Sequence, residues 1–186
     1  MTRSLSSMGI VVNALWLSVI VAAGFSAILT FKTVPELEPM VAEYDLIDQT
    51  TRSRIVAGLI TGPGFQMADL LQWILAPLLI AIIVTQRIAN PQAHRNILSW
   101  ISTLAVLTAT AIFVSRYLWL NPTMNAELEI YRTAARAGDP EQIQTTYTAF
   151  DRWHVLAENL WSLVGLLLLI SLACMGAMAC PRSKGG

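Results

Sequence analysis

Apolar positions along this chain gather into four long runs rather than into short alternating stretches. The first covers residues 10–31 without a charge. The second covers residues 65–86, interrupted by Asp69 and Pro77. The third covers residues 97–120, with Arg116 one turn from its end, and the fourth covers residues 155–179. Each exceeds the eighteen or so residues that a helix rising 1.5 Å per residue needs to cross a hydrocarbon core of about 30 Å. The pattern predicts an all-α, polytopic four-helix bundle, a single membrane domain over residues 1–186. The first run starts after a basic residue, as a signal peptide would. Its length, well past the usual 7–15 apolar residues, favours a permanent anchor.

The polar stretches between these runs predict smaller elements. Residues 35–60 place Met40, Val41, Tyr44, Ile47, Ile55 and Leu59 at roughly helical spacing among acids and threonines, and Gly62-Pro63-Gly64 should then break the chain. Asn121-Pro122 reads as an N-cap with proline at the first helical position, opening an outer helix that Gly138 ends. Asp139-Pro140 reads the same way, and the helix it opens should run about forty residues, roughly 60 Å. Residues 35–60 and 122–152 thus form a small helical cap on one face of the bundle.

Composition sharpens this. Of 186 residues, 55% are apolar and 13% are charged, against roughly 25% charged in a soluble domain, and mean hydropathy is +0.57. A soluble enzyme, a disordered tail and a secreted disulfide scaffold are excluded. The formal charge is zero, from twelve bases and twelve acids, so nothing points to a nucleic-acid partner. The zero hides an asymmetry. The amino terminus, residues 87–96 and the carboxyl tail share one side, with Arg3, Arg87, Arg95, Arg182 and Lys184 and no acid. All acids lie on the other side or in the helix ends facing it. The positive-inside rule puts both termini in the cytoplasm and the cap outside, in the periplasm of a bacterium, so the expected location is the inner (plasma) membrane.

Ionisable groups inside the spans cost roughly 2.5–3.5 kcal/mol each at mid-bilayer and are functional hypotheses by default. Arg116, Asp69, Gln72, His154 and Glu158 all fall near the outer ends of three helices. Asp151, His154 and Glu158 are spaced i, i+3, i+7 on one helical face, which Ser162 and Gly165 continue. Ala109 and Ser102 continue the stripe of Arg116. The expectation is an outward-opening polar pocket in which Arg116 pairs with Glu158 or Asp69. Three readings stay open: an ion pair tying helices together, a ligand or substrate pocket, and a metal site on His154, Glu158 and a third carboxylate. Asn13 is expected to be an interhelical hydrogen-bond partner.

Other chemistries are set aside. The only histidines, His94 and His154, fall at opposite membrane faces and cannot both ligate one haem. Cys174 and Cys180 sit at the cytoplasmic end of the last span, where thiols stay reduced. With Met175 and Met178 they form a soft set that packing explains as well as copper(I) does. No phosphate loop, Ser-His-Asp set or dinucleotide fingerprint occurs, and the cofactor is left unknown.

Ala23-Gly24-Phe25, then Pro35-Glu36-Leu37, then residues 121–128 reading NPTMNAEL, then Phe150-Asp151-Arg152-Trp153-His154 before the last apolar run make an ordered set. In this order the chain resembles the small four-helix bacterial membrane proteins of unknown function that have a distant animal transmembrane relative. It is also similar in layout to the anthrone-oxygenase-like membrane family, which has a Pro-x-x-Asn-type turn after helix three and an aromatic-plus-His/Asn segment before helix four. The resemblance implies the four-helix fold. A cofactor-free oxygenase would draw its proton-handling residues from His154 and Asn125. The chain departs from both families three residues after the histidine, where it has Ala157 in place of the Ser or Arg those relatives carry.

Two classes of function follow. One is a binding or accessory subunit, using the cap and polar pocket to hold a membrane partner, a lipid or a small apolar ligand. The other is a small membrane enzyme acting on an apolar substrate near the outer leaflet, with His154 as acid/base, Asp151 or Glu158 tuning it, and Arg116 stabilising negative charge.

Overall fold

A computed structural model of the chain describes residues 2–89, 91 and 96–179, with the side chains of residues 2 and 3 left out. His94, Arg95, Cys180, Arg182, Lys184 and the Arg3 side chain, part of the charge and metal reasoning above, lie outside the described residues. The chain is all helical, with no strand among the described residues. Its helices are α1 (Thr2–Thr33), α2 (Gln49–Ala89), α3 (Ile97–Ser115), α4 (Asn121–Ala137) and α5 (Pro140–Ala179). Two 3₁₀ turns, Val34–Leu37 and Ala42–Tyr44, fill the connection between α1 and α2. Four helical stretches are long and apolar enough to cross a membrane, and this is compatible with a multi-pass membrane protein.

Two junctions depart from the sequence expectation. Gly62-Pro63-Gly64 does not break the chain, because α2 runs straight through it. Pro63 offers no N–H to the Leu59 carbonyl, and one turn earlier the Thr61 hydroxyl folds back on Ala57 O at 3.0 Å. Proline is tolerated inside apolar helices, where the rest of the backbone stays paired because an unpaired one is too costly. Nor is Asn121 an N-cap. Helix is continuous from Ile97 to Ala137, with a π turn at Arg116–Leu120 in which Asn121 N–H donates to Arg116 O. A proline ring clashes with the carbonyl four residues back in a straight α-helix. The wider i→i+5 turn just before Pro122 relieves that clash and leaves Asn121 helical, with φ −59° and ψ −46°.

The start of the first outer segment differs as well. Residues 35–48 form turns rather than a helix, since Pro35 and Pro39 remove two donors within five residues and Glu38 takes a left-handed φ of 44°. Helix begins only at Gln49, where Asp48 is the N-cap and its Oδ1 accepts from Thr51 N–H at 3.0 Å. The Gly138 and Asp139 junction follows the local rules. Gly138 caps α4 with φ 69° and its N–H bonds to Ala134 and Ala135 carbonyls. Asp139 Oδ1 then accepts from the N–H groups of Glu141 and Gln142, both at 3.1 Å.

The contacts divide the chain into two compact units. Unit 1 takes residues 1–21, 70–113 and 161–186, and unit 2 takes residues 22–69 and 114–160. Unit 1 packs four helical segments around Val12, Trp16 and Ile20 of α1, Leu79 and Ile82 of α2, Val106 of α3 and Leu168 of α5. Ala76 and Ala109 let the helices approach closely, and a Cβ on Gly165 would stand 3.3 Å from Ile20 Cγ2. Small contact residues are what such helices use where packing, not water exclusion, drives association. The outward faces remain apolar, as at Val21, Leu104, Leu107 and Leu166. Unit 2 has its own core of Tyr44, Ile47, Ile55, Tyr131 and Ala135.

Candidate functional site

The sequence-predicted residues fall into separate arrangements. In unit 2, Arg116 is presented by the π turn and faces Asp69 of α2. Its Nη2 donates to Asp69 Oδ1 with side chains only 6% and 8% exposed. Asn121, five residues on, completes the arrangement. It accepts from Arg116 Nη1 at 3.2 Å and donates from Nδ2 to Asp69 Oδ2 at 3.1 Å. Both carboxylate oxygens therefore carry a donor. A buried charge is tolerated when its partner is opposite and its remaining lone pairs are bonded. Of the two partners expected for Arg116, the structure brings Asp69. Glu158 instead lies against His154, one turn away on its own helix.

Sequence reasoning missed Asn121 as a member of this site, having assigned it to a helix cap. The signal was present: five residues separate it from Arg116, one π turn, and a proline follows.

Gln72 belongs to unit 1, where its Oε1 accepts from Trp16 Nε1 at 3.2 Å in the apolar core. A buried indole N–H needs such an acceptor. The remaining three residues lie along α5 in unit 2. His154 Nε2 stands 3.1 Å from Glu158 Oε1, with side chains 37% and 65% exposed. The Phe150 ring stacks on the imidazole at 5.4 Å and on Tyr131 at 6.2 Å. Asp151 Oδ1 accepts from Tyr147 Oη at 3.4 Å. Among the described residues no three His, Cys, Asp or Glu side chains gather as a metal-binding group.

Unit 2 is braced around these groups. Arg52 is buried and spreads its guanidinium over the turn before α2, donating from Nε to Tyr44 O and from Nη2 to Ile47 O, each at 3.1 Å. Arg136 of α4 binds both Glu43 and Glu129. Asp48, which caps α2, has its carboxyl held below the usual carboxylate range, first by the Thr51 hydroxyl and then by the Thr51 N–H. Beside them, α4 and α5 enclose an open groove of about 500 Å³ lined by Ala126, Ile130, Ala134 and Ala137, with Glu129 and Gln142 among its polar members. Leu37, Met40 and Leu46 are strongly exposed in the turns of the same unit, Met40 at 81%.

The arrangement separates closed from accessible chemistry. Asp69 and Arg116 are buried and bonded to each other and to Asn121, and the groove is not lined by them. His154 and Glu158 are accessible. No protein-family model, curated protein or solved structure matches this chain.

Proposed function

We propose that the chain is a four-span inner-membrane protein that acts as a binding or accessory subunit through unit 2. In this reading both termini are cytoplasmic and unit 2 forms a helical cap on the outer face, as the uneven distribution of Arg and Lys suggests. The resemblance to the small four-helix membrane family belongs to the same reading. One observation carries it. The charged pair within the apolar helices is consumed in a buried clasp of Asp69, Arg116 and Asn121, while the open feature of unit 2 is an apolar groove between α4 and α5. A sealed ion pair fixes a surface, and a groove of Ile and Ala side chains accepts an apolar segment of a membrane partner.

The test is purification from native membranes in mild detergent at endogenous expression. The wild-type chain should carry a second chain in fixed ratio. Ala126→Arg and Ile130→Arg, both at exposed groove positions, should lose it while the protein stays folded. A wild-type protein that purifies alone, or variants that keep the second chain, would overturn the reading.

A second reading, an oxygenase-like enzyme acting on an apolar substrate, draws on the accessible His154–Glu158 pair at 3.1 Å. Glu158→Gln would then abolish turnover without loss of the folded protein from the membrane, whereas a subunit role leaves partner retention unchanged in that variant.

A further inference from the structure

Unit 2 holds one sulfur in a setting that neither the clasp nor the groove uses. Among the described residues, Met40 is the one methionine outside the helices, and it is 81% exposed. It lies between the two 3₁₀ turns, where Pro39 offers no N–H and Glu38 takes its left-handed φ of 44°. The other exposed methionines, Met8, Met67 and Met178, sit in the long apolar helices α1, α2 and α5. Exposure decides which thioethers a dissolved oxidant reaches.

What this sulfur faces gives its oxidation a consequence. Arg52 is buried, at 8% exposure. Its Nε donates to Tyr44 O, and its Nη2 donates to Ile47 O and, at 3.4 Å, to Asp45 O. The remaining nitrogen, Nη1, reaches Met40 Sδ at 3.5 Å and has no other partner among the described residues. A thioether is a weak acceptor, so this edge of the guanidinium is poorly matched. A sulfoxide places a polar oxygen on the same sulfur. Hydrogen bonds from an ionised donor are roughly twice as strong as neutral ones. Sulfoxidation disrupts a packed core, but Met40 stands at the surface against a charged donor, and there the sign reverses.

We propose that Met40 is a modification site for hydrogen peroxide, and that its sulfoxide locks residues 38–47 onto Arg52. A sulfur lone pair attacks one peroxide oxygen, and the S–O bond forms as the O–O bond breaks. The departing hydroxide takes the proton left on the transferred oxygen and leaves as water. Sulfur loses two electrons and the peroxide gains them. The new oxygen then accepts from Arg52 Nη1. The chemistry belongs to the turn itself and holds whether or not unit 2 carries a partner.

The test uses the full chain in phosphatidylcholine nanodiscs, treated with hydrogen peroxide, with sulfoxides located by mass spectrometry. A glutamyl endopeptidase, which cuts after Glu38 and Glu43 and does not read methionine, then reports how often the turn opens. Met40 should oxidise faster than Met8, Met67 and Met178. Cleavage within residues 38–47 should slow about ten-fold once Met40 is oxidised, the factor that 1.4 kcal/mol corresponds to. Methionine sulfoxide reductases of both epimer specificities should restore the original rate. Met40→Leu keeps the other methionines oxidisable and should show no slowing. Met40→Gln, which offers a carbonyl oxygen without oxidation, should be cut more slowly than the untreated wild type. The proposal is overturned if Met40 oxidises no faster than Met67, or if the turn is cut at the same rate or faster after Met40 oxidation. Equal slowing of peroxide-treated Met40→Leu would overturn it too.

Discussion

Asp69 and Arg116, forty-seven positions apart in sequence, form an ion pair whose side chains are both almost fully buried. The pair joins α2 to the π turn that ends α3, and Asn121 bonds to both members. Removing one charge leaves the other buried and uncompensated, at a cost of about 3–5 kcal/mol, whereas removing both is far cheaper. Asp69→Asn and Arg116→Met should therefore each destabilise by about that amount. The double variant should fall well short of their sum. Equilibrium unfolding of the four proteins in one detergent gives the coupling directly. Additive losses would mean that the two side chains act independently.

Gly138 tests how the α4–α5 corner is held. Its φ is 69°, and a Cβ there would stand 2.7 Å from Leu46 Cβ. Gly138→Ala should cost at least about 1–2 kcal/mol from the left-handed conformation alone. Leu46→Ala should not rescue it, because the clash is with the Leu46 Cβ itself. Leu46→Gly should recover part of the loss, the part due to contact. Hydrogen exchange at the first turns of α5 would report the loosened corner.

Arg52 braces the turn before α2 through carbonyls of Tyr44 and Ile47. A lysine at this position keeps the charge but not the planar fork that reaches both acceptors. Arg52→Lys should lose at least one charge-assisted hydrogen bond, worth about 1.5–3 kcal/mol. Limited proteolysis within residues 38–47 should accelerate roughly ten-fold or more, since 1.4 kcal/mol is a factor of ten. An unchanged cleavage rate would show that the turn is held by Tyr44 and Ile47 packing alone.

The α2 cap gives a pH dependence with a definite sign. The folded-state pKa of Asp48 is lowered, by the Thr51 hydroxyl and then the Thr51 N–H. Its contribution is therefore present above the unfolded carboxylate pKa, near 3.9, and is lost as pH falls through the lower folded value. Asp48→Ala should cost about 1 kcal/mol at neutral pH, as loss of an N-cap does. The gap between variant and wild type should shrink progressively below about pH 4. Thermal unfolding of both proteins between pH 3 and pH 7 measures it. A gap that stays constant to pH 3 would remove the carboxylate from the explanation.

The parts of the structure legible in the sequence were those decided locally. Gly138 ends one helix and Asp139 starts the next because a left-handed residue and a side-chain cap act within a single turn. The four apolar stretches were legible for the same reason, since their length and composition are properties of the segment alone. The misreadings came where the helix overrides its own punctuation. Gly62-Pro63-Gly64 would end a helix in water, yet α2 runs through it unbroken, as apolar helices tolerate proline. At Asn121-Pro122 the chain widened into a π turn instead of stopping, and this freed Asn121 to join Asp69 and Arg116. Depth along the helices could group Asp69, Gln72, Arg116, His154 and Glu158. It could not say that Gln72 would turn to Trp16, or that Glu158 would stay with His154 on its own helix.

The proposed topology has four crossings, with unit 2 outside and both termini inside. In a background with Cys174 and Cys180 replaced by Ala, single cysteines at Glu36, Gln142, Gln92 and Lys184 can be labelled in intact cells with a membrane-impermeant maleimide. With this topology, Glu36→Cys and Gln142→Cys should be labelled without permeabilisation, and Gln92→Cys and Lys184→Cys only after it. The reverse pattern, or labelling of Gln142→Cys and Gln92→Cys from the same side, would contradict it.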